Sequence, residues 1–373
     1  IYSLPDDIGD LAENLTTLNL NGCQALASLG ANIGKLVNLK TLTLSGCKVL
    51  KELPEGFGNL IQLTALDLSD CERLERLSSD IGNLQVSTLT LRGCKLLKEI
   101  PESFGELAKL TKLNFYACAA LETLPESIGN LTKVTEIDLS QCTALTSLPT
   151  SLGQLTNLKK LIMPRTGLTT LSATISSLSA LEELDVTGQG GTTGISGVAA
   201  DVFSGLTKLK KLSASNNSFS GGLSWLKNLS ALQTLRLDGN QLSGQLDLSQ
   251  FGPVLTDVYL SNNKLEGNLN GISTLTKVRN LYLDHNLLSG ELPAELGNCS
   301  TLSYLYLNDN NITGTIPVEI ANMNLGYGGL KLNGNKMSGE IPAKVLSSAV
   351  WKKLYPETNI YPQQEGYGFS NVQ

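Results

Sequence analysis

The feature that most constrains this chain is a beat. Cysteine falls at 23, 47, 71, 94, 118 and 142, at spacings of 24, 24, 23, 24 and 24 residues. Each of these cysteines closes one frame, L-x-x-L-x-L-x-x-C. Examples are Leu39, Leu42, Leu44 and Cys47, then Leu63, Leu66, Leu68 and Cys71, then Val134, Ile137, Leu139 and Cys142. Past Cys142 the beat continues with other residues on it: Thr166, Gln189, Asn217, Asn240, Asn263, Asn286, Asn310 and Asn335. That makes fourteen frames over nearly all of the 373 residues. The L-x-L core alternates with period two, as a strand does. One such unit cannot bury its own leucines, so successive units must stack. Stacked strands pair in parallel at about 4.8 Å.

The residue on the beat has a defined task. After each strand the chain turns inward, and its backbone groups need partners away from water. A thiol, a hydroxyl or a side-chain amide each brings a donor to that place. Cys, Thr, Gln and Asn on one beat therefore predict a ladder of buried donors. Neighbouring thiols would lie within the Cα window for a disulfide, but their side chains run parallel instead of facing one another. An inert buried thiol is the expectation. Six such cysteines and the off-beat Cys299 favour a reducing, cytoplasmic compartment, with an extracellular ectodomain as the alternative.

The repeats resemble the leucine-rich repeat family. That resemblance implies an α/β repeat solenoid of about 14 repeats, a horseshoe. It has a parallel β-sheet on the concave face and short helices, 3-10 turns or loops on the convex face. "LPESIGNL" (124–131) and "LPTSLGQL" (148–155) look like repeats of plant intracellular Ras-group and disease-resistance proteins. "LSGELPAEL" (288–296), "ITGTIPVEI" (312–320) and "MSGEIPAKV" (337–345) look like the plant-specific receptor type. The mixture implies a plant, algal or protist source. The domain organisation expected is one solenoid over 1–346 and a C-terminal cap or tail over 347–373. Cysteine-ladder repeats run to about 185 and asparagine-ladder repeats to 346. The Gly-rich "VTGQGGTTGISGVAADVF" (186–203) lengthens the repeat between them, as a convex-side insertion, with a flexible joint or a contact loop as the alternative. The tail carries Trp351, Tyr355, Tyr361, Tyr367 and Phe369, suited to covering an open apolar end. The N-terminal end begins mid-repeat, so its cap is expected upstream.

The residues between the leucines face the concave surface. Their central column reads Asn19, Thr43, Asp67, Thr90, Asn114, Asp138, Ile162, Asp185, Ser213, Arg236, Tyr259, Tyr282, Tyr306, Lys331. Three consecutive tyrosines stand out, because tyrosine gives large contact area at low entropic cost. The expected partner-binding patch is Tyr259, Tyr282, Tyr304 and Tyr306 with Arg236, Asp257, Asp284, His285 and Asp309. The competing reading is a cross-strand aromatic stack with a purely structural role. A second, weaker patch is acidic, Glu136, Asp138, Glu183 and Asp185, where the competing reading is ordinary solvated charge.

The net charge of −6 and pI of about 5.1 argue against a nucleic-acid partner. No apolar run approaches the about 18 residues of a membrane span. Six N-x-S/T sequons, at Asn14, Asn130, Asn216, Asn228, Asn298 and Asn311, follow from the repeat grammar itself. His285 is the single histidine. A Ser-His-Asp arrangement needs a nucleophile beside the ring, and Asp284 points away from it unless the strand has ended there. The sequence has no phosphate loop, and no Cys/His cluster has metal-binding spacing, so no enzyme, cofactor or metal is expected. The function class is a monomeric protein- or peptide-binding module, a fragment of a larger signalling, scaffold or receptor-like protein. A structural spacer is the alternative.

Overall fold

The computed structural model describes residues 1–188 and 194–371. The beat position Gln189 and residues 190–193 of the Gly-rich stretch lie outside the described residues. The chain forms two compact units, Ile1–Gln189 and Gly190–Gln373.

The first unit carries eight three-residue strands, from Thr17–Asn19 and Thr41–Thr43 to Lys160–Ile162 and Glu183–Asp185. They pair in parallel and in sequence order, leucine on leucine: Leu66 opposite Leu89, Leu89 opposite Leu113, Leu161 opposite Leu184. Behind the strands lies a row of short 3-10 helices, such as Glu102–Glu106, Glu126–Asn130 and Thr150–Gln154. A proline precedes each of these three in extended geometry, which sets the entry to the turn. The repeats approach closely here. A Cβ on Gly58 would sit 2.0 Å from the carbonyl oxygen of Asp80, so only glycine lets the next helix lie against this one.

The second unit carries six strands in its main sheet: Lys211–Ser213, Thr234–Arg236, Asp257–Tyr259, Asn280–Tyr282, Tyr304–Tyr306 and Leu330–Lys331. The two units together give fourteen strands, one per frame. The second unit also has a second parallel sheet, Ser196–Val198, Ser218–Gly221, Gln241–Leu246 and Lys264–Gly267. The leucines of both units fill the space between layers; Leu42, Leu66, Leu235, Leu281 and Leu305 are all buried.

The beat residues form the expected ladder, and the two halves use it differently. Cys47, Cys71, Cys94, Cys118 and Cys142 are buried and unpaired. Each donates its thiol to a carbonyl of the preceding repeat, for example Cys47 Sγ to Leu20 at 3.2 Å and Cys142 Sγ to Phe115 at 3.2 Å. Three residues on, an apolar residue closes the turn, as Leu50 N–H donates to the Cys47 carbonyl at 3.1 Å. Backbone donors there satisfy themselves. In the asparagine frames the apolar residue comes two residues after the beat and the chain is extended. Its N–H has no local acceptor, and the asparagine of the next repeat supplies one. Leu242 N–H donates to Asn263 Oδ1 at 3.0 Å, while Asn263 Nδ2 donates to the carbonyls of Leu237 and Leu260, both at 3.0 Å. A thiol has no comparable acceptor, so the second sheet accompanies asparagine.

One backbone conformation recurs just before the beat. Asp70, Ala117, Gln141, Arg165, Asn216, Asn262, His285 and Asp309 all have positive φ, as do Gly22, Gly46 and Gly239. The left-handed turn costs a non-glycine residue about 1–2 kcal/mol, so the ladder holds several repeats in a strained corner.

The C-terminal segment continues the ladder. Gln363 Nε2 donates to the Leu332 carbonyl at 3.1 Å, and its Oε1 accepts from Met337 N–H at 3.3 Å. These are the roles an asparagine plays one repeat earlier. Leu332 N–H and Gly334 N–H find the carbonyls of Asn359 and Pro362, and Gly368–Phe369 pairs in parallel with Ser338–Gly339. Ile360, Leu354 and Val350 are buried beneath this segment.

Two outcomes follow from the ladder. Asn263→Cys keeps a donor but leaves Leu242 N–H unpaired, and is expected to cost about 1–3 kcal/mol in chemical denaturation. In the native protein a thiol reagent should label the half-exposed Cys23 first, with Cys47, Cys71, Cys94, Cys118 and Cys142 protected until unfolding. Burial also pushes the thiols of these five upward, to about 12 for Cys71 and Cys142, so thiolate is scarce as well as inaccessible.

Candidate binding face

Side chains on alternate strand positions leave the core and cover the open face of each sheet. In the second unit the central column is in exact cross-strand register: Ser213, Arg236, Tyr259, Tyr282, Tyr306, Lys331. Strand spacing then forces the rings together. Tyr282 and Tyr306 stack with centroids 4.4 Å apart and planes 13° from parallel. Tyr259 meets Tyr282 edge to face at 4.8 Å, and Tyr304 meets Tyr306 edge to face at 6.4 Å. The row is closed at both ends by cations. The Arg236 guanidinium lies 4.4 Å over the Tyr259 ring, and the Lys331 ammonium 4.1 Å over Tyr306. The sequence reading placed Lys331 in the column without giving it a part in the patch. Its position one frame past Tyr306 was the available signal.

All four tyrosines are half-buried. Burial by the neighbouring rings, with the nearby phenols adding to it, pushes Tyr282 up to about 12. Burial raises Tyr306 as well, with Tyr304 and Asp284 contributing. Tyr304 packs against Gly326, where a Cβ would come within 2.9 Å of the phenol oxygen. Beyond it, Tyr327 is 73% and Tyr355 58% exposed, and the Tyr355 ring lies 3.6 Å from where a Cβ on Gly328 would sit. Both residues lie outside the L-x-L frame.

The carboxylates of the patch are held by neutral donors. Asp257 accepts from Thr256 Oγ1 at 2.7 Å and from Asn280 Nδ2. Asp284 accepts from Ser261 Oγ at 2.5 Å. His285 sits past the end of its strand, at φ 54°, so it turns toward Asp284 instead of away. Its Nδ1 is 3.0 Å from Asp284 and its Nε2 3.3 Å from Asp309. Both ring nitrogens face carboxylates, and among the described residues no hydroxyl or thiol bonds the ring. That arrangement joins two repeats; it does not activate a nucleophile. Among the described residues no group of three or more His, Cys, Asp or Glu side chains is placed to hold a metal ion.

The acidic patch of the first unit is interleaved with lysine. Lys112, Glu136, Lys160 and Glu183 occupy one register column. Lys112 pairs with Glu136 at 2.9 Å and Lys160 with Glu183 at 3.1 Å. Asp138 and Asp185 each accept from the N–H two residues on, of Ser140 and Thr187, at 2.9 Å. Asn19, Asp67 and Asn114 do the same at 3.0, 2.8 and 3.0 Å. The small and acidic central column of this half thus ends its strands locally.

The fold, the frame and the family models agree. The chain belongs to the leucine-rich repeat family: a model of a leucine-rich repeat region matches residues 55–252, and a model of the single repeat matches 38–60, 277–299 and 301–323. No curated protein sequence matches the chain. Among solved structures it is similar to a leucine-rich repeat protein of Leptospira interrogans. That pair shares 26% identity with a TM-score of 0.66, over 94% of this chain and 86% of that one. It is also similar to the Arabidopsis receptor kinase HAESA, solved with the peptide hormone IDA and a co-receptor. There identity is 24% and the TM-score 0.59, over 90% of this chain and 61% of the receptor chain. An internalin of Listeria monocytogenes is 21% identical with a TM-score of 0.59, over 98% of this chain and 89% of its own. The last two likenesses concern the fold. No helix among the described residues is long and apolar enough to cross a membrane.

Tyr282 gives the face a pH signature. An unfolded tyrosine ionises near about 10, whereas the folded chain keeps Tyr282 protonated to about 12. Between these values the unfolded state binds fewer protons, so stability is expected to fall as pH rises through the window. Urea titrations across about pH 10 to 12 check this, with Tyr282→Phe expected to flatten the decline.

Proposed function

We propose that this chain is a protein- or peptide-binding module whose partner seats on the strand face of the second unit, over Tyr259, Tyr282, Tyr304 and Tyr306. The observation that carries this reading is the tyrosine row itself: three half-buried rings in register with Tyr304 edge-on beside them, ordered by each other and by Arg236 and Lys331. A pre-ordered aromatic surface loses little entropy on binding and so keeps more of its contact energy. Aromatic residues and arginine also concentrate at the centres of interfaces. Asp257, Asp284, His285 and Asp309 frame the row and fix how a partner lies on it. The peptide seen on the similar HAESA receptor accords with such a use of the fold. The interleaved ion pairs of the first unit make the acidic patch there a poorer partner surface. We assign the module to a reducing compartment on its seven unpaired cysteines, and read it as a monomer within a larger signalling or scaffold protein.

Affinity capture from native extract tests the site. The wild-type chain is compared with a Tyr259/Tyr282/Tyr306→Ser variant of unchanged circular dichroism, and bound proteins and peptides are identified by mass spectrometry. Partners enriched by the wild type alone are expected. Equal capture by the folded variant would remove the tyrosine row from the function.

A further inference from the structure

The hydrogen-bonding groups left unused on this face are donors. The carboxylates that frame it are already occupied: Asp257 by Thr256 and Asn280, Asp284 by Ser261 and His285. Asp309 accepts from Asn308 Nδ2 at 2.7 Å and faces His285. The Arg236 guanidinium and the Lys331 ammonium, by contrast, rest on aromatic rings and have no carboxylate or hydrogen-bond partner among the described residues. A guanidinium brings five N–H donors and an ammonium three. The four phenols add their hydroxyls. The ring faces of the central row are covered by one another and by the two cations. What remains for a ligand is ring edges, hydroxyls and the two charged ends.

We infer, resting on the function proposed above, that the ligand of this face is an extended peptide that lies across the strands and carries a carboxylate at each end, one for Arg236 and one for Lys331. From Arg236 to Lys331 the register takes four strand steps, about 19 Å at the usual spacing. An extended chain rises about 3.3 Å per residue, so its two acidic groups stand about six residues apart. Its backbone carbonyls pass over the phenol hydroxyls between them. The framing aspartates repel an acidic group over the middle of the row, and this confines negative charge to the ends. Acidic side chains supply both carboxylates, or the chain terminus supplies one of them.

The test is selection of a displayed random heptapeptide library on the full chain, followed by affinity measurement with synthetic copies of the enriched peptides. Enrichment of Asp or Glu at the first and last positions, with depletion in between, is expected. Arg236→Gln should erase the preference at one end and Lys331→Gln at the other. Replacing either terminal acid by its amide should weaken binding about tenfold to a hundredfold, as for loss of a charge-assisted hydrogen bond. A free against an amidated C-terminus separates the terminal carboxylate from a side chain. Peptides that lose binding to Tyr282→Ser yet show no acidic preference would overturn this inference and leave the binding face standing. Peptides indifferent to Tyr282→Ser, or no enrichment, would overturn both.

Discussion

Each repeat depends on one solution to one problem, the inward turn of the backbone after the strand. The carbonyls and amides of that turn are buried, and water cannot reach them. In most repeats the beat residue satisfies them across the boundary to the preceding repeat, as Cys71 to Leu44 and Asn286 to Leu260, whereas Thr166 donates within its own repeat, to Met163. Hydrogen bonding and stacking are therefore the same contact. A repeat that lost its beat residue would leave its neighbour's backbone unpaired, which is how a chain with no long-range knot of contacts still holds its register.

That register produces the candidate site. A tyrosine alone on a strand is a solvated side chain. Three in successive frames, with strands held at fixed spacing, become a row whose rings are spaced for stacking. The same register sets Arg236 and Lys331 over the outermost rings. Structural stack and binding surface are thus compatible readings of one arrangement. Mutual packing orders the rings, and part of their area stays open to a partner. In the first unit the same column holds Asp67, Asn114 and Asp138, which close local turns, and Thr43, which donates to Asn19, so no aromatic row arises there.

Much of the fold was legible because it depends on period. Spacing of 23 or 24 residues, the L-x-L core and the beat gave the strands, their parallel order and the buried ladder. The asymmetry between halves is also written there: the next apolar residue stands three places after the beat in Cys71-Glu-Arg-Leu74, and two after it in Asn240-Gln-Leu242. The membership of Gln363 in the ladder was hidden, since Ile360-Tyr-Pro-Gln363 lacks the strand frame. For the site, the tyrosine column was visible as a column. The meeting of Tyr304 with Gly326 and the bridging of Asp284 and Asp309 by His285 were not, because each depends on where a turn directs a side chain.

The sequence by itself determined the repeat, the strand faces and the residues in each column, because side-chain alternation and burial of leucine depend only on local order along the chain. Only the tertiary structure decided which of those residues meet. Register across strands turned three tyrosines, an arginine and a lysine into one ordered row, and it left the carboxylates bonded while the two cations of the row have no acidic partner among the described residues. Those outcomes rest on distances between repeats some 24 residues apart, and no local pattern fixes such distances until the backbone has stacked.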